Sequence, residues 1–306
     1  MTAPASHWPR SPFDMLRTRG LVAQFFLVFL AEVALYNLAT PAGGKTSARE
    51  TRLAALLLYC TVALVLVVRA RRAGLDWRTL FGERPPRALV PLLAVVVPIA
   101  LLTVGAALAV YIPLSYVAPG FVERTILATG ALFDARTIPD WLELVVIGVV
   151  AAPVIEELFF RGFLLHRWAR RWGTPSAVVA SSALFAVLHG EWIGHFLFGV
   201  AMAALYLRTR RLWMPIAAHA LNNGIVALFS LVDVLRHAPP EATTIAELRE
   251  EWPLGAVALV SGIVLLQWYL RRYWPGGQWR AVLRGATPYE VYAASGTGSP
   301  VSTSAS

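Results

Sequence analysis

The sequence predicts an all-α, polytopic membrane protein of about eight transmembrane helices, and three observations carry that prediction. Hydrophobic residues make up 57% of the 306-residue chain and charged residues only 15%, whereas a soluble domain carries about a quarter charged residues. Mean hydropathy is +0.60. A hydrocarbon core of about 30 Å takes about 20 mostly apolar residues of helix to cross, and stretches of that kind recur along the chain.

In chain order, spans are expected at residues 21–38, 53–68, 89–112, 141–165, 177–188, 192–207, 214–235 and 254–270. The first has spanning length and no convincing small-residue cleavage site after it, so it reads as a span and not a signal peptide. The second carries Cys60 at its middle, and the third is apolar throughout. The fourth carries Glu156, Glu157 and Arg161 in its second half. The fifth is short enough for a re-entrant segment, yet the charges flanking it make a full crossing the more economical expectation. The last three are bounded by arginines or tryptophans; Trp192, Trp213, Trp252 and Trp268 fit interfacial anchors.

Arginines set the expected orientation. With the N-terminus in the cytoplasm, that side receives Arg10, Arg17 and Arg19, the 69–87 connection, Arg167, Arg170 and Arg171, then Arg208, Arg210 and Arg211, and finally Arg271, Arg272, Arg280 and Arg284. Most of the 27 basic residues then lie inside, as do both chain ends, as expected for a multi-pass protein of a bacterial plasma membrane. Residues 1–285 form one transmembrane domain with its core at about 141–231, and 286–306, rich in Ser, Gly, Thr and Ala, form a disordered tail. The net charge of +9 and pI near 10.3 do not point to nucleic acid. The basic residues are spread over short loops beside apolar spans, where they set topology and meet anionic lipids. The single cysteine, Cys60, excludes an intramolecular disulfide and a thiolate metal cluster, and is expected to pack as a small residue.

Ionisable groups at membrane depth are costly and usually functional, and three clusters stand out: Glu156-Glu157 with Arg161, Phe185 with His189, and His219 with Asn223. Residues four apart share a helix face, so Glu157 can pair with Arg161, while Glu156 lies about 100° round the helix and is left free as a candidate base. His189 can orient a water together with Glu156. His219 and Asn223, one turn apart, bring two donors of the kind that stabilise an oxyanion. The set has the chemistry of a water-activated peptide hydrolase. Counted at 1.5 Å per residue, Glu156 lies ~15 Å from Arg167 and His219 ~12 Å from Arg211, in the cytoplasmic half of the bilayer. His189 counts deeper, ~20 Å from Ser176, which a tilted or broken fifth span would reconcile.

Blander roles compete for each piece. Glu157 with Arg161 alone would more often be a structural ion pair. His195 is expected to pack, although it can approach the site, and His166 is expected at the interface. Phe185 supplies shape, as a wall of the substrate cavity.

The joint pattern is more specific than its parts. Glu-Glu-x-x-x-Arg at 156–161, Phe-x-x-x-His at 185–189 and His-x-x-x-Asn at 219–223, with the run FGVAMAALYLRTRRLWMPIAAHALNN at 198–223, resemble the CAAX protease and bacteriocin-processing (CPBP, or Abi) family. The resemblance covers about 141–231 with no departure at the motif positions. It implies an intramembrane endopeptidase in an eight-helix bundle, with Glu156 and His189 activating water, His219 and Asn223 holding the oxyanion, and Glu157 and Arg161 in support. The expected partners are membrane lipids and a protein or peptide substrate, which is prenylated in eukaryotic relatives.

No cofactor is expected. The alternative is zinc on Glu156, His189 and His219, since members of the family have been described as metalloproteases. Against it, the HExxH signature is absent and a carboxamide beside His219 is a weak zinc ligand. Two further functions stay open: a membrane immunity or scaffold protein that binds a peptide uncut, and a proton-coupled transporter using Glu156 and Glu157. The transporter reading lacks a convincing internal repeat, and pure binding needs no base opposite an oxyanion hole.

Overall fold

The computed structural model describes residues 12–15, 20, 23, 48–82, 87–127, 135–236 and 244–274, and these contain helices and no strand. A short α1 (Pro12–Met15) is followed by α2 (Ala48–Ala73), α3 (Trp77–Phe81), and α4 (Val96–Val117) with a 3-10 lead-in, Arg87–Val95. Next come α5 (Pro119–Thr125) and α6, an unbroken helical rod from Ile138–Leu144 through His166–Trp172. The chain continues as α7 (Thr174–His189), α8 (Trp192–Thr209), α9 (Trp213–Arg236), α10 (Ile245–Glu250) and α11 (Trp252–Tyr273).

Five of these, α2, α4 with its lead-in, α8, α9 and α11, are long and apolar enough to cross a membrane. Their outward faces are apolar as well, with Leu57 and Leu64 on α2, Val97 and Val104 on α4 and Val257 and Val264 on α11 exposed. A surface of that kind suits lipid, because in hydrocarbon only the backbone and the bundle interior need polar partners. The chain is an all-α polytopic membrane protein. Of the other expected spans, 141–165 lies within α6, and 177–188 is the shorter apolar helix α7. The spans expected at 21–38 and the tail at 286–306 fall outside the described residues, residue 23 apart.

The arrangement of α6 begins at its cap. Thr137 accepts from the Asp140 backbone N–H while the Asp140 carboxylate accepts from the Thr137 N–H, a reciprocal capping box. Further on, the helix widens into π turns at Val145–Ala151 and Leu158–Leu165. Pro153 has no N–H to return to the preceding turn and its ring crowds that turn's carbonyl, so the first widening sits where the proline requires it. Glu156 and Glu157 stand on the single α turn, Ala152–Glu157, between the two π segments.

Tight helix crossings set the rest of the frame. A Cβ on Gly105 of α4 would lie 2.3 Å from the backbone nitrogen of Leu259 on α11, and one on Gly262 would lie 2.5 Å from that of Leu102. Such backbone contact is open only to glycine, and in lipid close approach of this kind is what binds helices together. The core centres on Phe159, Phe160 and Phe163 of α6, packed with Phe185, Met202, Tyr206 and Met214. Outside the spans, Asp76 caps α3, and the hydroxyl of Thr79 holds its carboxyl below the usual carboxylate range.

Candidate active site

Five elements, α2, α6, α7, α8 and α9, bring the polar groups together. Glu157 and Arg161, both buried, form the expected pair on α6, with Nη1 of Arg161 donating to Oε1 of Glu157 at 3.0 Å. Nη2 of the same guanidinium donates to the Gly199 carbonyl of α8 at 2.8 Å. Its flat face lies over the Phe185 ring, 5.0 Å from the centroid, a cation–π contact. From α9, His219 reaches across with Nδ1 2.9 Å from Oε1 of Glu157. A carboxylate only accepts, so Nδ1 carries the proton and Nε2 is turned toward Glu156, 3.9 Å from its Oε2.

His189 closes the other side. Its Nδ1 donates to the Phe185 carbonyl at 2.7 Å, and its ring stacks on Phe185 at 4.2 Å. That leaves Nε2 facing Glu156 Oε2 at 3.6 Å. In the neutral ring this nitrogen is an acceptor, so two acceptors from α6 and α7 look at each other across a gap. Glu156 Oε2 is itself buried without a hydrogen-bond partner.

The helix ends explain how His189 reaches Glu156. Because α6 continues to Trp172, Glu156 stands about 24 Å from that end, and His189 stands about 22 Å from Thr174 at the start of α7. The depths therefore agree without a break in α7. Directly after His189 the helix stops at Gly190, whose φ of 77° is left-handed and favours glycine. Glu191 then caps α8, accepting from the N–H groups of Ile193, Gly194 and His195. His219 is closer in sequence to the start of its helix, and Arg211 and Leu212 in the α8–α9 turn before it are buried. The N–H of Leu212 donates there to the Phe81 carbonyl of α3 at 3.0 Å.

Several expectations need revision. Glu156 is not free: the hydroxyl of Tyr59, on α2, donates to its Oε1 at 2.6 Å. No sequence signal joined the two, since the pairing is between helices remote in the chain. Asn223 does not touch Glu156, His189 or His219 through a hydrogen bond among the described residues. Its Nδ2 donates to the Gly148 carbonyl of α6 at 2.8 Å, which fixes the carboxamide and leaves its second N–H for other use. Phe185 is buried in the core, where it backs both His189 and Arg161. His195 stacks on His189 at 4.5 Å, its Nδ1 held by the Glu191 carbonyl at 2.7 Å, so it joins the site's wall. His166 is buried: Phe13 of α1 stacks on it at 4.7 Å and the Tyr206 hydroxyl lies 2.8 Å from its Nε2. Cys60 is exposed on α2 and does not pack.

Fold and site together define a polytopic membrane protein with a buried carboxylate–imidazole cluster. The sequence model of a family of membrane proteases, described as Type II CAAX prenyl endopeptidase Rce1-like, matches residues 138–225, the segment that holds Glu156, His189, His219 and Asn223. Among curated proteins the chain is 29% identical over 104 residues to the candidate membrane peptidase YdiL of Bacillus subtilis, covering 33% of this chain and 42% of that protein. It is 33% identical over 122 residues to the membrane-embedded CAAX protease MroQ of Staphylococcus aureus, covering 36% of this chain and 48% of that one. The chain thus spans less than half the length of either relative, and the site segment is similar to CAAX-type membrane proteases. No solved structure matches it.

Proposed function

We propose that the protein is an intramembrane endopeptidase that cleaves membrane-associated or lipidated peptides with a glutamate-activated water and no metal. The observation that carries this reading is the convergence of Glu156 Oε2 with Nε2 of His189 at 3.6 Å and Nε2 of His219 at 3.9 Å. Two facing acceptors, Glu156 Oε2 and neutral His189 Nε2, are matched to one molecule that donates twice, which is what a water does. Glu156 takes one proton as the water oxygen bonds to the scissile carbonyl carbon. The same proton passes to the leaving amine nitrogen as the C–N bond breaks, and the carboxylate is restored.

The oxygen of the tetrahedral intermediate is held by His219 and Asn223. His219 donates from Nε2 when both of its nitrogens carry protons, and Glu157, already bonded to Nδ1, balances that charge. Asn223 donates with the N–H that Gly148 does not use. Arg161 fixes Glu157 against α8. The name of the staphylococcal relative, a CAAX protease, favours a protein substrate processed near a lipidated end, and nothing in the site calls for nucleic acid. By the arginine bias, the chain ends face the cytoplasm.

The test is cleavage of a fluorogenic peptide library and a farnesylated peptide by the full chain in detergent, with and without a zinc chelator. Glu156→Gln is expected to lose about 1,000-fold or more in kcat while eluting as wild type does, and the wild-type rate is expected to survive chelation. A rate abolished by chelator would replace the glutamate mechanism with zinc chemistry. Binding of peptide with no cleavage by either protein would favour the immunity or scaffold role.

A further inference from the structure

We propose that Tyr59 is a positioning residue for Glu156: by occupying Oε1 of the carboxylate, its hydroxyl turns Oε2 toward His189 and His219 as the oxygen that takes the proton from water. This rests on the reading of Glu156 as the base. It adds a residue from α2, a helix outside the segment 138–225 that matches the protease family.

Three features support it. The Tyr59 O–H donates to Glu156 Oε1 at 2.6 Å, a short bond of the charge-assisted kind. The other oxygen, Oε2, is buried and has no hydrogen bond, yet it is the oxygen nearest both imidazole Nε2 atoms. A carboxylate can turn about its last torsion, which is broad and roughly two-fold. A donor fixed on one side therefore decides which oxygen faces the imidazoles and at what angle.

The third feature is how α2 itself is held. Two helical turns before Tyr59, on the same face, the buried Arg52 is paired with Asp140 and Glu143 of α6. Its Nε lies 3.2 Å from Glu143 Oε2, and Nη2 donates to Asp140 Oδ1. The helix that carries the base and the helix that carries its orienting hydroxyl are thus clamped in register by charge. Neither Tyr59 nor Arg52 belongs to the three motif clusters, so the clamp serves the site from outside them.

The experiment uses the full chain in lipid nanodiscs with a fluorogenic peptide that the wild type cleaves, comparing Tyr59→Phe, Glu156→Gln and wild type for kcat, KM and thermal unfolding. Tyr59→Phe removes one oxygen and keeps the ring. It is expected to lower kcat about 10-fold or more, with KM within about twofold and the unfolding midpoint near that of wild type. Wild-type kcat in Tyr59→Phe with an inactive Glu156→Gln would overturn this inference and leave the protease reading standing. Wild-type kcat in Glu156→Gln would sink both. If Tyr59→Phe unfolds early, fluorotyrosines incorporated at position 59 decide the matter. A kcat that changes with the acidity of the phenol supports the proposal, and one that does not change overturns it, since packing alone is insensitive to that acidity.

Discussion

Arg161 joins two elements and neutralises a third group. Its fork donates to Glu157 on its own helix and to the Gly199 carbonyl on α8, and its face rests on Phe185 of α7. Glu157 is fully buried, so removing the guanidinium strands a charge in the bundle. Arg161→Met is expected to destabilise the protein by about 3 to 5 kcal/mol, the usual range for one partner of a buried pair. Thermal unfolding in detergent measures it. Glu157→Gln with Arg161→Met should recover part of that loss, and the double-mutant cycle reads the coupling. The i, i+4 spacing made this pair legible in the sequence. The link to Gly199 was not, because it needs α8 to pass within hydrogen-bonding distance.

At the scale of elements, helix ends and crossings place the chemistry. The stop at Gly190 puts His189 at the end of α7, and the glycine contacts between α4 and α11 leave no room for a side chain. Gly105→Leu is therefore expected to force those helices apart and to lower the unfolding midpoint sharply, or to yield aggregated protein. A substitution to Leu at Gly74, where an added Cβ meets nothing within 4 Å, meets strain from φ +64° alone and should do far less harm. Size-exclusion profiles and unfolding scans of the two variants separate the cases. Hydrophobic length alone located the spans within a few residues at most ends. It missed the onward run of α6 to Trp172, because Arg167, Arg170 and Arg171 there look like the start of a loop.

Across the described residues the long helices present apolar exteriors and enclose an apolar core in which the polar groups gather around Glu156 and Glu157, so the outer surface is the inverse of a soluble domain's. Cys60, the single cysteine, lies exposed in the α2 stretch that runs Arg52–Ala73. A spin label there, in protein reconstituted into bilayers, is expected to collide readily with dissolved oxygen and poorly with a water-soluble nickel chelate. The reverse ratio would mean that this face of α2 is wetted and that the helix does not lie against lipid.

The sequence by itself determined the fold class, the approximate position of most described spans and the grouping of Glu156, Glu157, Arg161, His189 and His219, which contact one another in the bundle. These follow from local quantities: apolar length, charge between spans and spacing on a helix face. Only the tertiary structure decided which nitrogen of each histidine faces Glu156, that Asn223 is pinned to Gly148, that His195 and His166 are drawn in, and that Tyr59 reaches the carboxylate. Most of those depend on the distance between helices, which is set by bundle packing and carries no periodic trace in the residues themselves.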